Sequence, residues 1–242
     1  MIPKKIFQTH KSQDYIKNND FLRDAVNSWR KYENEFEYVF HDDRQADEFM
    51  LKNFKGRIYN WYKKLPLPVM KGDLWRYCVL YKYGGIYADA DTVLKINPNI
   101  FIKDNVNIMF SPEPLPYGHK QFCQWVWSVP PNSPILKIII DICIKRLQDE
   151  EEGITNKIKE LGLGQYVLYS TGPHAFTAGI ETYLKRKNLP TFDDKAKYVN
   201  YPDNIIEVFP LSFHRDAVVH GFMSTNSGDG WHYQAQKMTK PI

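Results

Sequence analysis

Apolar and polar positions in the first forty residues alternate in a way that predicts a strand, a helix and a second strand. Residues 4–10, KKIFQTH, read as a β-strand. In NDFLRDAVNSWRKYE (19–33), Leu22, Val26 and Trp29 fall at helical spacing with Asp20 near the N-terminal cap. Phe36, Tyr38 and Phe40 then alternate through EFEYVFHDD, which ends in a turn at His41-Asp42-Asp43. A second helical stretch, RQADEFMLKNF (44–54), precedes a loop ending in LPLPV, where two prolines break any helix. From Lys71 the segment KGDLWRYCVLYKYGG predicts a helix closed by Gly84 and Gly85, since glycine just past a last turn adopts the left-handed stop at little cost. The strand that follows, GIYADADTVL, carries two aspartates one residue apart.

Beyond Asn97-Pro98 the pattern gives a strand in NIMFSPEP (107–114) and a Trp-rich extended piece, QFCQWVWSVP (121–130). Ser133 and Pro134 open an amphipathic helix with Ile135, Ile138, Ile139, Ile142 and Leu147 as its buried stripe. The acidic DEEEG reads as a solvated helix end. In YVLYSTGPHAFTAGIETYL (166–184), YVLYS reads as a strand that enters a Ser-Thr-Gly-Pro turn and then a helix. The tail holds VFPLSFH, VVHGFM, a polar STNSGDG loop and Trp231-His232. Strands alternating with helices, with no internal repeat and no long linker, predict one α/β layered domain over 1–242 with a mainly parallel sheet.

Composition narrows the classes of function. The net charge of +4 is spread over Lys and Arg that alternate with Asp and Glu, which argues against a nucleic-acid partner or an anionic membrane. Cys78, Cys123 and Cys143 are far apart and form no CxxC, so neither a disulfide framework nor a zinc cage is expected, and a reducing compartment is the simpler setting. MIPKKIFQTH lacks the apolar core of a signal peptide, and ILKIIIDICI (135–144) is shorter than the roughly 20 residues a membrane span needs. A cytoplasmic protein with no transmembrane segment is expected, peripheral membrane association remaining open. Aromatic residues make up 15% of the chain; most are expected to pack, although sugar sites also use such rings.

The aspartate pair carries the chemistry. In a strand, Tyr87, Asp89 and Asp91 share one face and Ile86, Ala88 and Ala90 the other, so both carboxylates look into the same space. At roughly 6 to 7 Å and an effective dielectric of about 20, they repel by on the order of 2 to 3 kcal/mol, which a cation offsets. Mg²⁺ or Mn²⁺ suits such a site, because these ions take oxygen ligands from one or two carboxylates and substrate phosphates. In the preceding helix Asp73 and Arg76 are three apart and hence on one face, with Tyr77 and Leu80 continuing that side. They form either an intrahelical ion pair or one acceptor and one planar cation for a common pocket.

KGDLWRYCVLYKYGGIYADAD (71–91) resembles the glycosyltransferase sugar-binding-region DXD family, glycosyltransferase family 32, which includes yeast outer-chain α-mannosyltransferases. It is also similar to the catalytic core of the large clostridial glucosylating toxins. Asp73, Arg76, Tyr83, Gly84, Gly85, Tyr87, Asp89 and Asp91 fall at the matching spacings. MIPKKIFQTHK resembles the family's opening strand, with Phe7 where His is usual, and STGP (170–173) its T-G-P turn. The resemblance implies a GT-A, Rossmann-like nucleotide-sugar fold that transfers a hexose with retention of configuration. The donor is then a UDP- or GDP-sugar, the acceptor a glycan or glycoconjugate, and the cofactor Mn²⁺ or Mg²⁺.

By the same resemblance Asp89 contacts ribose or sugar and Asp91 the metal, Asp89, Asp91 and Arg76 being the catalytic set. Asp73 and Arg76 bind donor sugar and diphosphate, Tyr87 lines the pocket, and Gln8, Thr9 and His10 sit at the nucleotide edge. The C-terminal end departs from the family, whose His is soon followed by G-S-W: VVHGFMSTNSGDGWH separates His220 from Trp231 by a longer Gly/Ser loop. His220 is expected to join Asp89 and Asp91 at the metal, Trp231 to cover the donor, and Gly172, Pro173 and His174 to face the acceptor. Two other readings compete. Asp89 to Val93 also fits the D-x-D-x-[T/V] of haloacid-dehalogenase-type phosphatases, with Asp193-Asp194 as a late metal site. The altered C-terminal motif also suits an inactive nucleotide-sugar- or carbohydrate-binding protein. Without an N-terminal anchor, a bacterial or viral enzyme is expected rather than a Golgi one.

Overall fold

The structure is a computed structural model that describes residues 1–113, 121–149, 153–191, 206–210 and 213–220. Strand β1 (Lys5–Thr9) leads through α1 (Gln13–Lys17) and α2 (Asp20–Arg30) to β2 (Glu37–His41). Helices α3 (Asp43–Asn53), α4 (Arg57–Lys64) and α5 (Pro68–Tyr83) then precede β3 (Gly85–Ala88) and the short β4 (Thr92–Leu94). A 3₁₀ turn at Pro98–Phe101 is followed by β5 (Ile108–Phe110), β6 (Val126–Val129), α6 (Pro134–Asp149), α7 (Ile154–Leu161), α8 (Leu163–Ser170) and α9 (Pro173–Arg186). Strand β7 (Ile206–Val208), α10 (Phe213–Asp216) and β8 (Val218–His220) complete the described chain.

Six strands form one sheet in the order β2-β1-β3-β6-β5-β7, and β4 pairs with β8 in a separate two-stranded sheet. Pairs β1–β2, β1–β3 and β5–β7 are parallel, whereas β6 runs antiparallel to β3 and β5. The α/β fold with a mostly parallel sheet is thus as read from the sequence, with one reversed strand in its middle.

Alternation along β3 sorts its residues between two cores. Tyr87 packs with Phe7, Trp127 and helices α5, α6 and α9, while Ile86 and Ala88 join Ile6, Trp29, Met109 and Val126 on the opposite face. Helix α5 is covered on nearly all sides: Met70, Leu74, Trp75, Tyr77, Cys78, Val79 and Leu80 are all fully buried. Each large apolar side chain buried in this way stabilises the fold by about 1.5 to 3 kcal/mol. Asp73 and Arg76 are carried into the interior with them.

Several boundaries differ from the pattern-based reading. Pro68 starts α5 instead of breaking it, because the first helical position needs no N–H donor. Asp20 opens α2 next to its cap, Asn19, whose side chain accepts from the Leu22 amide at 3.0 Å. YVLYS is helical: Leu163, Tyr166, Val167 and Ser170 are buried at a spacing of three and four, a period hidden when Leu163 is left out. Cys78, Cys123 and Cys143 are buried and free. Among the described residues no helix is long and apolar enough to cross a membrane.

Gly84 and Gly85 turn the chain from α5 into β3. Their φ angles are 64° and 112°, and a Cβ on Gly85 would lie 2.7 Å from the Lys5 carbonyl oxygen of the neighbouring strand. Only glycine meets both constraints. Gly85→Ala should therefore lower stability by about 2 kcal/mol or more, seen as a fall of roughly 4 to 8 °C in thermal unfolding.

Candidate active site

The aspartates lie just beyond β3, which ends at Ala88, so a turn and not strand alternation brings them together. This turn is fastened from several sides. The Asp89 amide donates to the Trp125 carbonyl at 2.8 Å, and the Asp89 carbonyl accepts from the Thr92 amide at 3.1 Å and the Gln8 side-chain amide at 3.1 Å. Trp29 of α2 donates its indole N–H to the Thr92 carbonyl at 3.0 Å. Thr92 is then paired with His220 in the β4–β8 ladder, which sets the C-terminal histidine opposite the residue that follows Asp91. His220 Nε2 is 3.9 Å from Asp89 Oδ2 and 3.5 Å from Asp91 Oδ1. One ligand-type atom from each of the three residues lies within 4.8 Å of the others. Two hard carboxylate oxygens and an imidazole nitrogen form a donor set able to hold a divalent cation.

Arg76 supplies the opposing charge. Its Nη1 is 3.3 Å from Asp89 Oδ1 and donates to the Gln124 carbonyl at 3.2 Å, while Nη2 is 3.3 Å from Asp73 Oδ1. The guanidinium also stands 4.5 Å from the centre of the Tyr87 ring, and the Tyr87 hydroxyl donates to Asp89. Burial works to raise the Asp89 pKa, but Arg76, His220 and Tyr87 together outweigh it and hold the group below the usual carboxylate range. Asp91 is held above that range by burial, despite His220. Burial depresses His220, and hydrogen bonding to Asp89 and the charges of Asp91 and Asp89 overcome this, leaving the imidazole above its ordinary value.

Asp73 is the intrahelical partner of Arg76 and also the hub of a buried network. Its Oδ2 accepts from the Thr171 hydroxyl at 2.9 Å, and its Oδ1 from the Gln124 side chain at 3.2 Å. The same Gln124 amide reaches the Tyr77 hydroxyl and the Thr171 carbonyl. The T-G-P turn is thereby tied to the helix, with Gly172 buried behind Thr171 and His174 exposed at the start of α9.

At the other edge, β1 lies between β2 and β3, so the chain winds away from β1 in both directions. The crevice at the carboxyl ends of β1 and β3 is where open α/β sheets take ligands. Gln8 is fully buried and spans it internally, accepting from the Tyr38 hydroxyl at 2.8 Å while donating to Asp89. Thr9 donates to the His41 carbonyl at 2.7 Å, and His10 stacks on Tyr15 at 5.0 Å. A cavity of about 360 Å³ opens beside Thr9, walled by Asp43, Asp47, Tyr62, Leu67, Lys71 and Gly72. Trp231, the STNSGDG loop and the Asp193-Asp194 pair lie outside the described residues.

Three participants escaped the sequence reading: Glu113, Gln124 and Trp125. All are buried polar or amphipathic residues in stretches read as strand or extended chain, and only their acidic or amide character inside an apolar run could have marked them. Gln124 holds Asp73, and Trp125 packs its ring against His220 with centroids 4.8 Å apart.

Burial raises the Asp73 pKa from 3.8 to about 6, only partly offset by Arg76 and Thr171. A folded-state value above the unfolded one makes this group's contribution to stability full below about pH 4 and lost as pH rises through about 6. The effect amounts to about 3 kcal/mol at the outside. Carboxyl-carbon NMR titration of the metal-free protein should place the Asp73 midpoint near 6, about two units above the ordinary aspartate value.

Comparison with known proteins agrees with this geometry. Residues 19–107 match the family described as "Glycosyltransferase sugar-binding region containing DXD motif". The chain is 32% identical over 204 residues to an initiation-specific alpha-1,6-mannosyltransferase of Schizosaccharomyces pombe, covering 76% of this chain and 49% of that one. Inositol phosphoceramide mannosyltransferase 1 of the same organism is 24% identical over 238 residues, covering 96% of this chain and 62% of its own length. The chain thus spans about half to three-fifths of the length of these relatives. Among solved structures, the PaToxG glycosyltransferase superposes with a TM-score of 0.51 at 17% identity, covering 76% of this chain and 70% of the other. The match assigns residues 19–107 to the glycosyltransferase sugar-binding family with its DXD motif, within a fold of the GT-A type.

Proposed function

We propose that this chain is a retaining hexosyltransferase that moves a sugar from a UDP- or GDP-sugar to a hydroxyl of a glycan or glycoconjugate, with a divalent cation at Asp89, Asp91 and His220. The observation that carries this reading is the convergence of those three residues, backed by Arg76, on the crevice at the carboxyl ends of β1 and β3. The relatives named as mannosyltransferases support a hexose as the transferred group.

A bound Mn²⁺ or Mg²⁺ would neutralise the donor diphosphate and stabilise it as a leaving group. The chain's own residues prepare that event. Arg76 and Tyr87 keep Asp89 ionised and fix its orientation, so no reorganisation is needed when the donor arrives. The Asp73–Gln124–Thr171 network holds the T-G-P turn beside Arg76, and Gly172, Pro173 and His174 flank the acceptor side in this reading. The cavity beside Thr9 and the His10–Tyr15 ring pair receive the nucleoside.

Donor hydrolysis in the presence of Mn²⁺ tests the assignment. Asp91→Asn should reduce it by at least roughly 100-fold, an oxygen ligand's charge being lost while the turn backbone stays. Unchanged turnover in a variant that still unfolds at the wild-type temperature sinks the reading. A thermal-shift screen of nucleotide-sugars identifies the donor: at 100 times its Kd a ligand adds about 2.7 kcal/mol to stability. Only the correct base and sugar should reach that level, and only with the metal.

A further inference from the structure

The third arm of the cation site is carried differently from the other two. Asp89 and Asp91 sit in a turn fastened to the main sheet, whereas His220 ends the three-residue strand β8 of the small sheet. The Thr92–His220 pairing fixes where the histidine backbone lies. It leaves open how the imidazole is rotated, and the reach toward both aspartates depends on that rotation.

Trp125 meets this requirement. Its buried indole lies at 35° to the His220 ring with centroids 4.8 Å apart, and His214 packs against it at 4.9 Å. An indole used as a wall must itself be held in its plane, and its N–H donates to Glu113 Oε2 at 3.3 Å. Glu113 and Trp125 lie beyond the ends of β5 and β6, beside the isolated antiparallel bridge between Pro112 and Phe122. The Glu113 amide donates to the Gln121 carbonyl at 2.9 Å, the Cys123 amide to the Ser111 carbonyl at 2.8 Å, and the Trp125 carbonyl accepts from Asp89. Glu113, Trp125 and the first aspartate therefore share one rigid frame.

The Glu113 carboxyl is 8% exposed, and its Oε2 is the acceptor for the indole N–H. A buried indole N–H without an acceptor is costly, so this contact fixes the plane of the ring that packs on His220. Residues behind a ligating histidine set its orientation, and losing such a residue lowers metal affinity by about 10 to 100-fold.

We propose that Glu113 is a positioning residue of the cation site, acting through the Trp125 indole to fix the plane of the His220 imidazole. This rests on the cation site proposed above, and its test separates the two. Mn²⁺ affinity is measured by the electron paramagnetic resonance of free ion added to the metal-free protein. Glu113→Met, which keeps the length but removes the acceptor, should weaken binding by about tenfold, and Trp125→Phe likewise. The double variant should be no weaker than the weaker single one, because both changes break one chain of contacts. Glu113→Gln, which keeps an acceptor oxygen, should stay within about threefold of wild type.

A second readout needs no metal. The His220 ring protons should carry a ring-current shift from Trp125 that survives Glu113→Gln and is lost in Glu113→Met. The proposal is overturned if Glu113→Gln weakens Mn²⁺ binding as much as Glu113→Met, since charge and not orientation then matters. Additive losses in the double variant overturn it as well, as does an unchanged His220 shift in Glu113→Met. Failure of the wild-type protein to bind Mn²⁺ would refute the cation site instead, and the ring shifts would still decide whether the contact chain orients His220.

Discussion

A guanidinium that is 8% exposed must find its neutralising partners within the protein, and Arg76 draws the site together in doing so. It bridges Asp73 on its own helix and Asp89 at the end of β3, caps the Gln124 carbonyl and lies over the Tyr87 ring. Removing any one carboxylate would leave a buried cation short of a partner, so the helix, the turn and the Gln124 segment are held by one ion. Such a cluster stabilises less than its Coulomb energy suggests, because three charged groups are desolvated to form it. What it gives is registry: α5 cannot shift along the sheet without separating Arg76 from Asp89.

The fold was legible in the sequence where one face of an element is apolar and the other polar. Helix α2 follows from burial of one face, strand β1 from a short apolar run buried on both faces, and the glycine stop after α5 from the positive φ it needs. The segment YVLYS misled, since five residues rich in aromatic and branched side chains read as a strand when the helical period starts earlier, at Leu163. The reversed strand β6 was not legible, because its direction shows only in its antiparallel pairing with β3 and β5. At the site, Asp73, Arg76, Asp89 and Asp91 were readable from spacing, with the resemblance of their composite to a known family giving them meaning. Their convergence came from a turn and not from the strand geometry first expected.

Asp73 and Arg76 act on more than their own helix. They do form an intrahelical ion pair, yet each also reaches beyond the helix, Arg76 to Asp89 and Asp73 to Thr171. Gln8 shows the reverse. Expected at the edge of the site, it is consumed inside the protein, joining Tyr38 of β2 to the Asp89 carbonyl. It serves the crevice from inside the protein, and the neighbouring Thr9 lines the adjoining cavity.

The pairing of Thr92 with His220 joins positions more than half the chain apart. Closing so long a loop is entropically costly, and β4, which lies outside the six-stranded sheet, is held for that pairing by Trp29 and Ser28 of α2. A chain emerging from the ribosome can therefore fold its Arg76 cluster long before it owns a histidine to complete the triad. In the function proposed above, the cation site would therefore be complete only once β8 has docked on β4.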